Sequence, residues 1–334
     1  MRGRPRSPTG TRSVQVEMTV LAITGGVGGS KLALGLSKLL SPDRLIIAVN
    51  TGDDFTHLGL RVCPDLDTVM YTLAGMENPE TGWGVACDTW ETMSALEALG
   101  GPTWFRLGNR DIATHLERTR RLAAGEPLSK VTAHLARSCG VKHRIVPASD
   151  QNISTVVETP LGQLPFQKYF VELGCKPTVQ GFQFVGAENA RPAPALQTCF
   201  DKGEIEAVII CPSNPYVSIA PIIAIPGIRA FLRKPEVPVV SVSPIVGGKA
   251  LKGPTAKIMR ELGIQPSSLA IAEHYSDIVS KLFIDVADEN QVEQIASLGV
   301  ETTVSRTVMT TIADKTRLAR DVLVQAGINI DQID

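Results

Sequence analysis

The stretch Thr24-Gly25-Gly26-Val27-Gly28-Gly29-Ser30-Lys31 decides the fold. It joins a strand-like run, residues 19–23, to a helix-like run, residues 32–40. Four glycines at a strand-to-helix turn let the backbone approach a ligand closely. The helix that follows offers unpaired N–H groups and the positive end of its dipole. We therefore expect this turn to bind the phosphate groups of a ligand.

The turn resembles two phosphate-binding motifs without matching either. A dinucleotide fingerprint that begins at Gly26 needs a third glycine at position 31, where this chain has Lys31. A nucleoside-triphosphate P-loop needs Gly-Lys-Ser/Thr, whereas here Ser30 precedes the lysine. The alternative is a tight turn between strand and helix that binds no ligand.

Composition excludes several classes of protein. The 334 residues carry 33 basic and 34 acidic side chains, so a generic nucleic-acid binder with a basic surplus is disfavoured. No apolar run approaches the length that crosses a bilayer. The six cysteines are scattered without a CxxC pair, which is typical of reduced thiols in a cytoplasmic protein. We expect a cytoplasmic protein that binds neither nucleic acid nor membrane.

The first 17 residues stand apart from the rest of the chain. They contain four arginines with proline and glycine but lack the apolar core of a secretory signal. We expect residues 1–17 to form a disordered extension. Because Met18 leads directly into the first strand-like run, translation could also begin there.

From Met18 onward, short β-branched runs alternate with helical patterns, as in parallel βα units. The predicted strands are residues 19–24, 45–49, 206–211, 237–242, 281–286 and 301–304. The predicted helices are residues 31–40, 66–74, 89–99, 255–262, 268–280, 290–297 and 313–325. This alternation predicts an α/β fold with a doubly wound, mostly parallel Rossmann-like sheet.

The middle of the chain breaks this alternation. Two helical patterns, 111–123 and 128–139, are followed by two strand-like pieces, 143–147 and 153–158. We therefore predict a Rossmann-like nucleotide-binding core of residues 18–107 and 191–334. We predict that residues 108–190 form a smaller α+β insertion that covers the active site.

Ligands of open α/β sheets bind at the carboxyl ends of the strands. Four predicted strand ends are rich in small polar residues, glycine and proline, which indicates a composite site; they are residues 24–31, 50–54, 211–215 and 241–249.

Four carboxylates come near these strand ends. Asp53 and Asp54 follow the second predicted strand, and Asp65 and Asp67 come a short loop later. Mg²⁺ held by one or two carboxylates and the substrate phosphates is common in phosphate chemistry. Asp54 ranks first because it has no evident capping role, whereas Asp65 could be a helix N-cap. An acidic residue after the second strand could alternatively hold a ribose hydroxyl.

Other polar residues have weaker indications. Arg110 could clamp a phosphate or carboxylate, since a guanidinium matches both with two hydrogen bonds. Asp88 could cap the predicted helix 89–99. His115 lies in a helical pattern beside charged residues, and we predict that it is on the surface. No Ser-His-Asp or Cys-His pair is evident, so the chemistry favours positioning and charge neutralisation over covalent catalysis.

Taken together, the motifs resemble those of the CofD family, which comprises 2-phospho-L-lactate transferases and bacterial relatives that transfer phosphoenolpyruvate. The resemblance runs in order from about Met18 to the C-terminus. The matching segments are residues 24–29 (TGGVGG), 50–54 (NTGDD), 61–68 (RVCPDLDT), 82–84 (GWG), 107–111 (LGNRD), 147–150 (PASD), 184–188 (FVGAE), 212–215 (PSNP) and 243–245 (SPI).

The resemblance implies a reaction in the biosynthesis of coenzyme F(420). A guanosine-diphosphate-linked three-carbon acid donates its phospho-acid group to the terminal ribityl hydroxyl of the deazaflavin Fo, and GMP leaves. Mg²⁺ is the metal of the family. The donor acid stays open among lactyl, glyceryl and enolpyruvyl forms, with the enolpyruvyl form favoured. A homodimer is the expectation from the frequency of twofold assemblies.

The resemblance also implies residue roles. Asp54 would hold the metal or orient the acceptor hydroxyl, with Asp65 or Asp67 assisting. Asp54 and Asp65 are the candidate metal ligands. Trp83, Asp88 and Thr89 would border the tricyclic ring of the acceptor. The candidate residues for binding the guanosine diphosphate and its surroundings are Gly25, Gly26, Gly28, Gly29, Ser30, Asn50, Asp53, Arg110, Ser213, Asn214, Ser243 and Pro244.

Two other functions remain as alternatives. A non-catalytic nucleotide-binding or nucleotide-sensing protein would bind GDP without turnover. An NAD(P)-dependent oxidoreductase is disfavoured by Lys31 at the third glycine position.

Overall fold

The structure, a computed structural model, describes residues 18–329, and the predicted extension 1–17 lies outside them. The strands are β1 Thr19–Thr24, β2 Leu45–Val49, β3 Phe55–His57, β4 Leu60–Val62, β5 Arg144–Pro147, β6 Ser154–Thr159, β7 Gly162–Pro165, β8 Gly181–Val185, β9 Ile205–Ile210, β10 Val239–Val242, β11 Ile245–Val246, β12 Lys249–Ala250, β13 Lys281–Asp285 and β14 Glu301–Ser305. The α-helices are α1 Val27–Ser37, α2 Pro64–Ala74, α3 Glu91–Ala98, α4 Asn109–Ala123, α5 Leu128–Ser138, α6 Pro194–Lys202, α7 Ala220–Ile223, α8 Pro226–Leu232, α9 Thr255–Glu261, α10 Ser268–Tyr275, α11 Val292–Ala296 and α12 Ile312–Gln325.

Seven parallel strands form the central sheet in the order β14-β13-β10-β9-β1-β2-β5. This order confirms the predicted doubly wound, Rossmann-like α/β fold. The direction of winding reverses between β1 and β9, and such a reversal opens a crevice at the carboxyl ends of the strands. The glycine turn after β1 and residues 211–215 after β9 therefore become neighbours.

The central strands are buried on both faces, as their continuous apolar runs predict. Leu21 and Ile23 of β1 belong to one hydrophobic cluster. Val20 and Ala22 belong to a second cluster on the other face. Side chains of successive strand residues point to opposite faces, so β1 contributes to both clusters.

The predicted insertion of residues 108–190 needs a correction. β5 lies within this range, yet it pairs with β2 as an edge strand of the central sheet. Helices α4 and α5 form the connection from the β2 side of the sheet to this parallel strand, as a parallel pair requires. Among the strands of residues 108–190, β6, β7 and β8 stand outside the central sheet and form a three-stranded antiparallel sheet in the order β7-β6-β8.

Within residues 18–329, no single helix is long and apolar enough to span a bilayer. One bent pair of segments, Pro215–Ile223 and Pro226–Leu232, meets the test of length and composition at an angle of 96°.

Candidate active site

A cavity of about 700 Å³ lies where the carboxyl ends of the central strands meet. Its wall includes the turn after β1, the segments after β2, β9 and β10, and residues 307–310 after β14. The strand-end prediction of a composite site is consistent with this position. The sequence-predicted residues that line the cavity are Gly26, Gly28, Asp53, Asp65, Asp67, Trp83, Ser213, Asn214, Ser243 and Pro244.

The glycines of the turn after β1 bring three segments into close contact. A Cβ atom at Gly26 would lie 2.4 Å from Oδ1 of Asp65, and one at Gly28 would lie 2.5 Å from the carbonyl oxygen of Pro212. The N–H of Gly25 donates a hydrogen bond to Oγ of Ser213 at 3.0 Å. The turn therefore needs glycine because protein atoms crowd it, and it fixes Asp65 beside the N-terminus of α1.

Gly29 and Ser30 support this turn from inside α1. A Cβ atom at Gly29 would lie 1.9 Å from Oγ1 of Thr24, so the helix and β1 also pack closely. The hydroxyl of Ser30 donates to the carbonyl oxygen of Val27 at 3.2 Å. Neither residue, nor Gly25, lines the cavity, so their contribution is to hold the turn.

Asn50 connects two carboxylates that line the cavity. Its Nδ2 donates to Oδ1 of Asp53 and, at 3.0 Å, to Oδ2 of Asp65. Its Oδ1 accepts the N–H of Gly52 at 2.8 Å, which fixes the orientation of the amide. Asn50 lies behind the cavity wall and positions both acids.

Burial shifts the acid–base behaviour of this pair. Burial and then the charges of Asp65 and Asp54 raise the pKa of Asp53 well above its usual range. Burial raises the pKa of Asp65 to about 6, although hydrogen bonds from Asn50 and the N–H of Gly26 oppose the shift. Two such carboxylates held together favour a shared proton or a bound cation.

Asp54 differs from its neighbour. It does not line the cavity, and its Oδ2 lies 3.4 Å from Nη2 of Arg61. Its Oδ1 is buried and has no hydrogen-bond partner in the described chain. Burial raises the pKa of Asp54 to about 7, against the opposing charge of Arg61. Asp53 therefore borders the cavity and Asp54 does not, while the ranking of Asp54 first stays a prediction.

Asp67 belongs to a buried network with helix α4. It accepts two hydrogen bonds from Arg118, one of them from Nη1 to Oδ2 at 3.0 Å. Nη1 of Arg118 also lies 3.1 Å from Nδ1 of His115. Oδ1 of Asp111 accepts the hydroxyl of Tyr71 at 2.8 Å and lies 3.4 Å from Nε2 of His115.

The predicted surface position of His115 is wrong, since the residue is 1% exposed and lines the cavity. Asp111, His115 and Arg118 are spaced four and three residues apart and therefore share one face of α4. That spacing of polar residues is the sequence signal that could have located them. In a helix rich in charged residues, the same signal also fits a solvated face, and only packing against α2 distinguishes the two.

Two lysines that are not among the predicted site residues border the cavity. Nζ of Lys31 lies 3.4 Å from the carbonyl oxygen of Met309, and Nζ of Lys252 lies 3.2 Å from that of Thr81. Burial and then the charge of Lys252 lower the pKa of Lys31. With the N-terminus of α1, these amines give the cavity a positive side opposite in charge to its carboxylates.

Residues 20–320 match the family described as 2-phospho-L-lactate transferase CofD. The chain belongs to the CofD family. The resemblance drawn from the motifs is thereby confirmed, and the chain is a CofD-type transferase.

Several relatives of this CofD-family chain are named phosphoenolpyruvate transferase. The protein from Streptomyces griseus subsp. griseus is 40% identical over 314 residues, which cover 92% of this chain and 98% of the relative. That from Thermobifida fusca is 41% identical over 289 residues, covering 82% and 88%. That from Mycolicibacterium smegmatis is 40% identical over 274 residues, covering 77% and 83%.

A solved structure shares the fold of the CofD-family chain at low identity. It is a member of the UPF0052 family from Bacillus halodurans, with a TM-score of 0.58 and 14% sequence identity. The similarity covers 92% of this chain and 99% of that protein.

In the CofD-family chain, the loop after β9 leaves one donor free. Oδ1 of Asn214 accepts the N–H groups of Tyr216 and Val217 at 2.9 and 3.3 Å. Its Nδ2 is buried with no partner among residues 18–329, so it is available to a ligand. By contrast, the hydroxyl of Ser243 forms a hydrogen bond with Oγ of Ser268 at 2.9 Å. It also accepts the N–H of Ile245 at 3.2 Å, which stabilises the turn after β10.

Three further predicted site residues, Asp88, Thr89 and Arg110, also lie outside the main cavity. Asp88 accepts the N–H groups of Arg110 and Asp111 at 2.8 and 3.1 Å, so it caps α4 rather than the predicted helix 89–99. Thr89 contacts Asn109 at the same helix start. The exposed guanidinium of Arg110 donates to the carbonyl oxygen of Ala86 at 3.3 Å. Asp88 does border a small adjoining cavity of about 20 Å³.

Two groups of side chains offer ligands to a metal ion. Asp53 and Asp65 both line the cavity and supply only oxygens, which suits Mg²⁺. Ligand atoms of Asp67, Asp111 and His115 lie within 4.8 Å of one another. That second group already holds the guanidinium of Arg118, so the first group fits the predicted metal better.

Proposed function

We propose that this CofD-type transferase moves a phospho-(three-carbon acid) group from a guanosine-diphosphate-linked donor to the ribityl hydroxyl of the deazaflavin Fo, in coenzyme F(420) biosynthesis. The observation that carries the proposal is that positive and negative groups line the same cavity. Lys31, Lys252 and the N-terminus of α1 lie on its wall together with the carboxylates Asp53 and Asp65. The name of the relatives supports the enolpyruvyl acid as the donor group.

The positive side of the cavity suits the diphosphate. Phosphate oxygens would accept hydrogen bonds from the N–H groups at the start of α1, where no side chain caps the helix. Lys31 and Lys252 would add charge-assisted contacts, and Nδ2 of Asn214 would supply another donor. These groups orient the donor so that its acid-linked phosphorus faces the acceptor.

The carboxylate side suits the metal and the attacking hydroxyl. Asp53 and Asp65 would hold Mg²⁺, which when bound neutralises phosphate charge. The acceptor oxygen forms a bond to the acid-linked phosphorus while the phosphoanhydride bond breaks, and GMP leaves with that electron pair. The hydroxyl proton passes to a carboxylate of this cluster. Asn50 keeps both carboxylates in place throughout.

Aromatic side chains give the acceptor ring a surface. Trp83, Phe105, Phe166 and Phe170 line the cavity, and the rings of Phe166 and Phe170 stack 5.3 Å apart at 9°. A planar tricyclic ring gains from such faces by burial and stacking. Asp88 and Thr89 would then act at a distance, through the start of α4. The cytoplasmic location and the homodimer stay predictions.

A mass-spectrometric transfer assay tests the proposal. Purified protein, Mg²⁺ and Fo are incubated with the enolpyruvyl, lactyl and glyceryl donors, separately and in competition. We expect an Fo-linked phosphodiester and GMP, with the enolpyruvyl donor preferred. GDP binding without product from any donor would contradict the proposal and favour the sensing alternative. Oxidation of NADH would favour the oxidoreductase.

Matched variants test whether Asp53 and Asp65 take part in the transfer reaction. Asp53→Asn and Asp65→Asn should lower turnover by about 100-fold or more, because each removes charge that acts on the reacting phosphate. The exposed Asp43→Asn serves as the control and should not change it. If Asp54→Asn lowered turnover while Asp53→Asn did not, the assignment of Asp53 would be wrong.

A further inference from the structure

The tautomer of His115 is fixed by its neighbour. A guanidinium has only donors and stays charged. Because Nη1 of Arg118 lies 3.1 Å from Nδ1 of His115, Nδ1 must accept and the single ring proton is on Nε2. Arg118 is held in turn by Asp67 through two hydrogen bonds. In this tautomer His115 presents an Nε2–H donor of defined direction.

The donor at Nε2 has no partner. It is buried and forms no hydrogen bond with any described residue, although Oδ1 of Asp111 is 3.4 Å away. His115 and Asp111 both line the cavity. A buried, unpaired donor is costly, so such a group in a cavity wall points to a ligand atom that satisfies it.

The charges around Nε2 select the kind of ligand. Two carboxylates, Asp67 and Asp111, face one guanidinium, Arg118, so the surroundings are net negative. Oδ1 of Asp111 already accepts the hydroxyl of Tyr71 at 2.8 Å, so this carboxylate is oriented as a hydrogen-bond acceptor in the cavity wall. A phosphate would be repelled here. A hydroxyl can accept from Nε2–H and donate to the carboxylate at once.

We propose that His115 and Asp111 form a subsite for a hydroxyl group of the acceptor, with Arg118 as the positioning residue that fixes the His115 tautomer. The subsite rests on the proposed function, since there the acceptor is the polyhydroxylated substrate. The subsite also defines where each of the two substrates lies in the cavity. The donor phosphates lie at the α1 side with Lys31 and Lys252, and the acceptor hydroxyl lies at the α4 side.

Equilibrium binding of Fo, followed by its fluorescence without any donor, tests the subsite. His115→Asn ends short of the Nε2 position, whereas His115→Gln places an amide N–H close to it. We expect His115→Asn to weaken Fo binding about tenfold or more, the scale of one enclosed hydrogen bond. His115→Gln should restore most of the affinity, and GDP binding should not change in either variant. The control His134→Asn alters a histidine whose Nε2 contacts Arg121 outside the cavity.

A second probe identifies the hydroxyl. A deazaflavin with a methyl group in place of the ribityl chain should bind wild type and His115→Asn equally if the chain hydroxyl occupies the subsite. A loss that persists with this probe assigns the subsite to the ring hydroxyl. Unchanged Fo affinity in His115→Asn, or an equal loss of GDP affinity, would overturn the proposal.

Imidazole ¹⁵N spectra check the tautomer independently, and a proton on Nδ1 of His115 would overturn the subsite proposal.

The subsite and the proposed function fail in different ways. Wild type that binds Fo through His115 but transfers nothing leaves the subsite intact and refutes the transferase. If wild type transfers normally and His115→Asn binds Fo as well as wild type does, the transferase stands and the subsite is refuted.

Discussion

Asp65→Asn should make the metal-free protein more stable at neutral pH even though it stops transfer. Burial raises the folded-state pKa of Asp65 to about 6, against an ordinary value of 3.8. The difference of about two pKa units corresponds to about 3 kcal/mol. Because the folded-state pKa is higher than the unfolded-state value, Asp65 contributes fully to the free energy of unfolding below about pH 4. That contribution is lost as the pH rises through 6.

The assay is urea unfolding at a series of pH values from 4 to 8 with a chelator present. We expect the free energy of unfolding of wild type to fall over this range, and Asp65→Asn to remove up to about 3 kcal/mol of that fall. The replacement also removes a charge that raises the pKa of Asp53. Exposed Asp43→Asn is the control and should follow wild type.

The same unfolding measurement with Mg²⁺ in place of the chelator gives a second test. It should stabilise wild type at pH 8, because a cation binds the ionised carboxylates of the folded state, and it should stabilise Asp65→Asn much less. An Asp65→Asn protein that is less stable than wild type at pH 8, or that shows the same pH slope, would refute the argument that burial strains this carboxylate.

Three further predictions concern the cavity wall and the buried ion pair of Asp67 and Arg118. Gly26→Ala should lower transfer by about 100-fold, since its Cβ would lie 2.4 Å from Oδ1 of Asp65 and displace a carboxylate of the charged site, and steady-state kinetics measures it. Lys252→Ala should raise the KM for the donor about tenfold with little effect on Fo binding, whereas exposed Lys249→Ala should not. Arg118→Met should destabilise the fold by about 3–5 kcal/mol in urea unfolding, because it leaves Asp67 buried and unpaired. The exposed Arg120→Met should leave the free energy of unfolding close to that of wild type. Equal losses in the two variants would contradict the stabilising role of the buried pair.

The sheet could be predicted from sequence because its signals are local. The apolar runs of β1, β2 and β9 can be buried on both faces only in a parallel sheet covered by helices. The rule that ligands bind at strand ends then led to the region where the structure has its cavity. The position of β5 was missed because a strand's own residues do not state which neighbour it pairs with.

The exact roles of the acids could not be predicted, because they depend on contacts between distant segments. Asp53 and Asp54 are adjacent, and only the turn held by Asn50 decides that Asp53 lines the cavity. Asp88 caps a helix that begins more than 20 residues later, beyond the reach of any local capping rule. His115 and Arg118 look like surface residues until Asp67 of another helix packs against them.

The cost of the carboxylate pair also bears on the choice between an enzyme and a sensor. Asp53 and Asp65 are buried together, and each raised pKa is free energy lost from the folded, metal-free state at neutral pH. A protein that only bound GDP could meet the diphosphate with Lys31, Lys252 and the start of α1, without the cost of burying two acids together. A transferase does gain, because a bound cation offsets the cost and neutralises phosphate charge as the anhydride bond breaks. The pair of carboxylates therefore favours turnover over sensing, and it makes the Mg²⁺ dependence of both stability and transfer the quantity on which the two functions differ most.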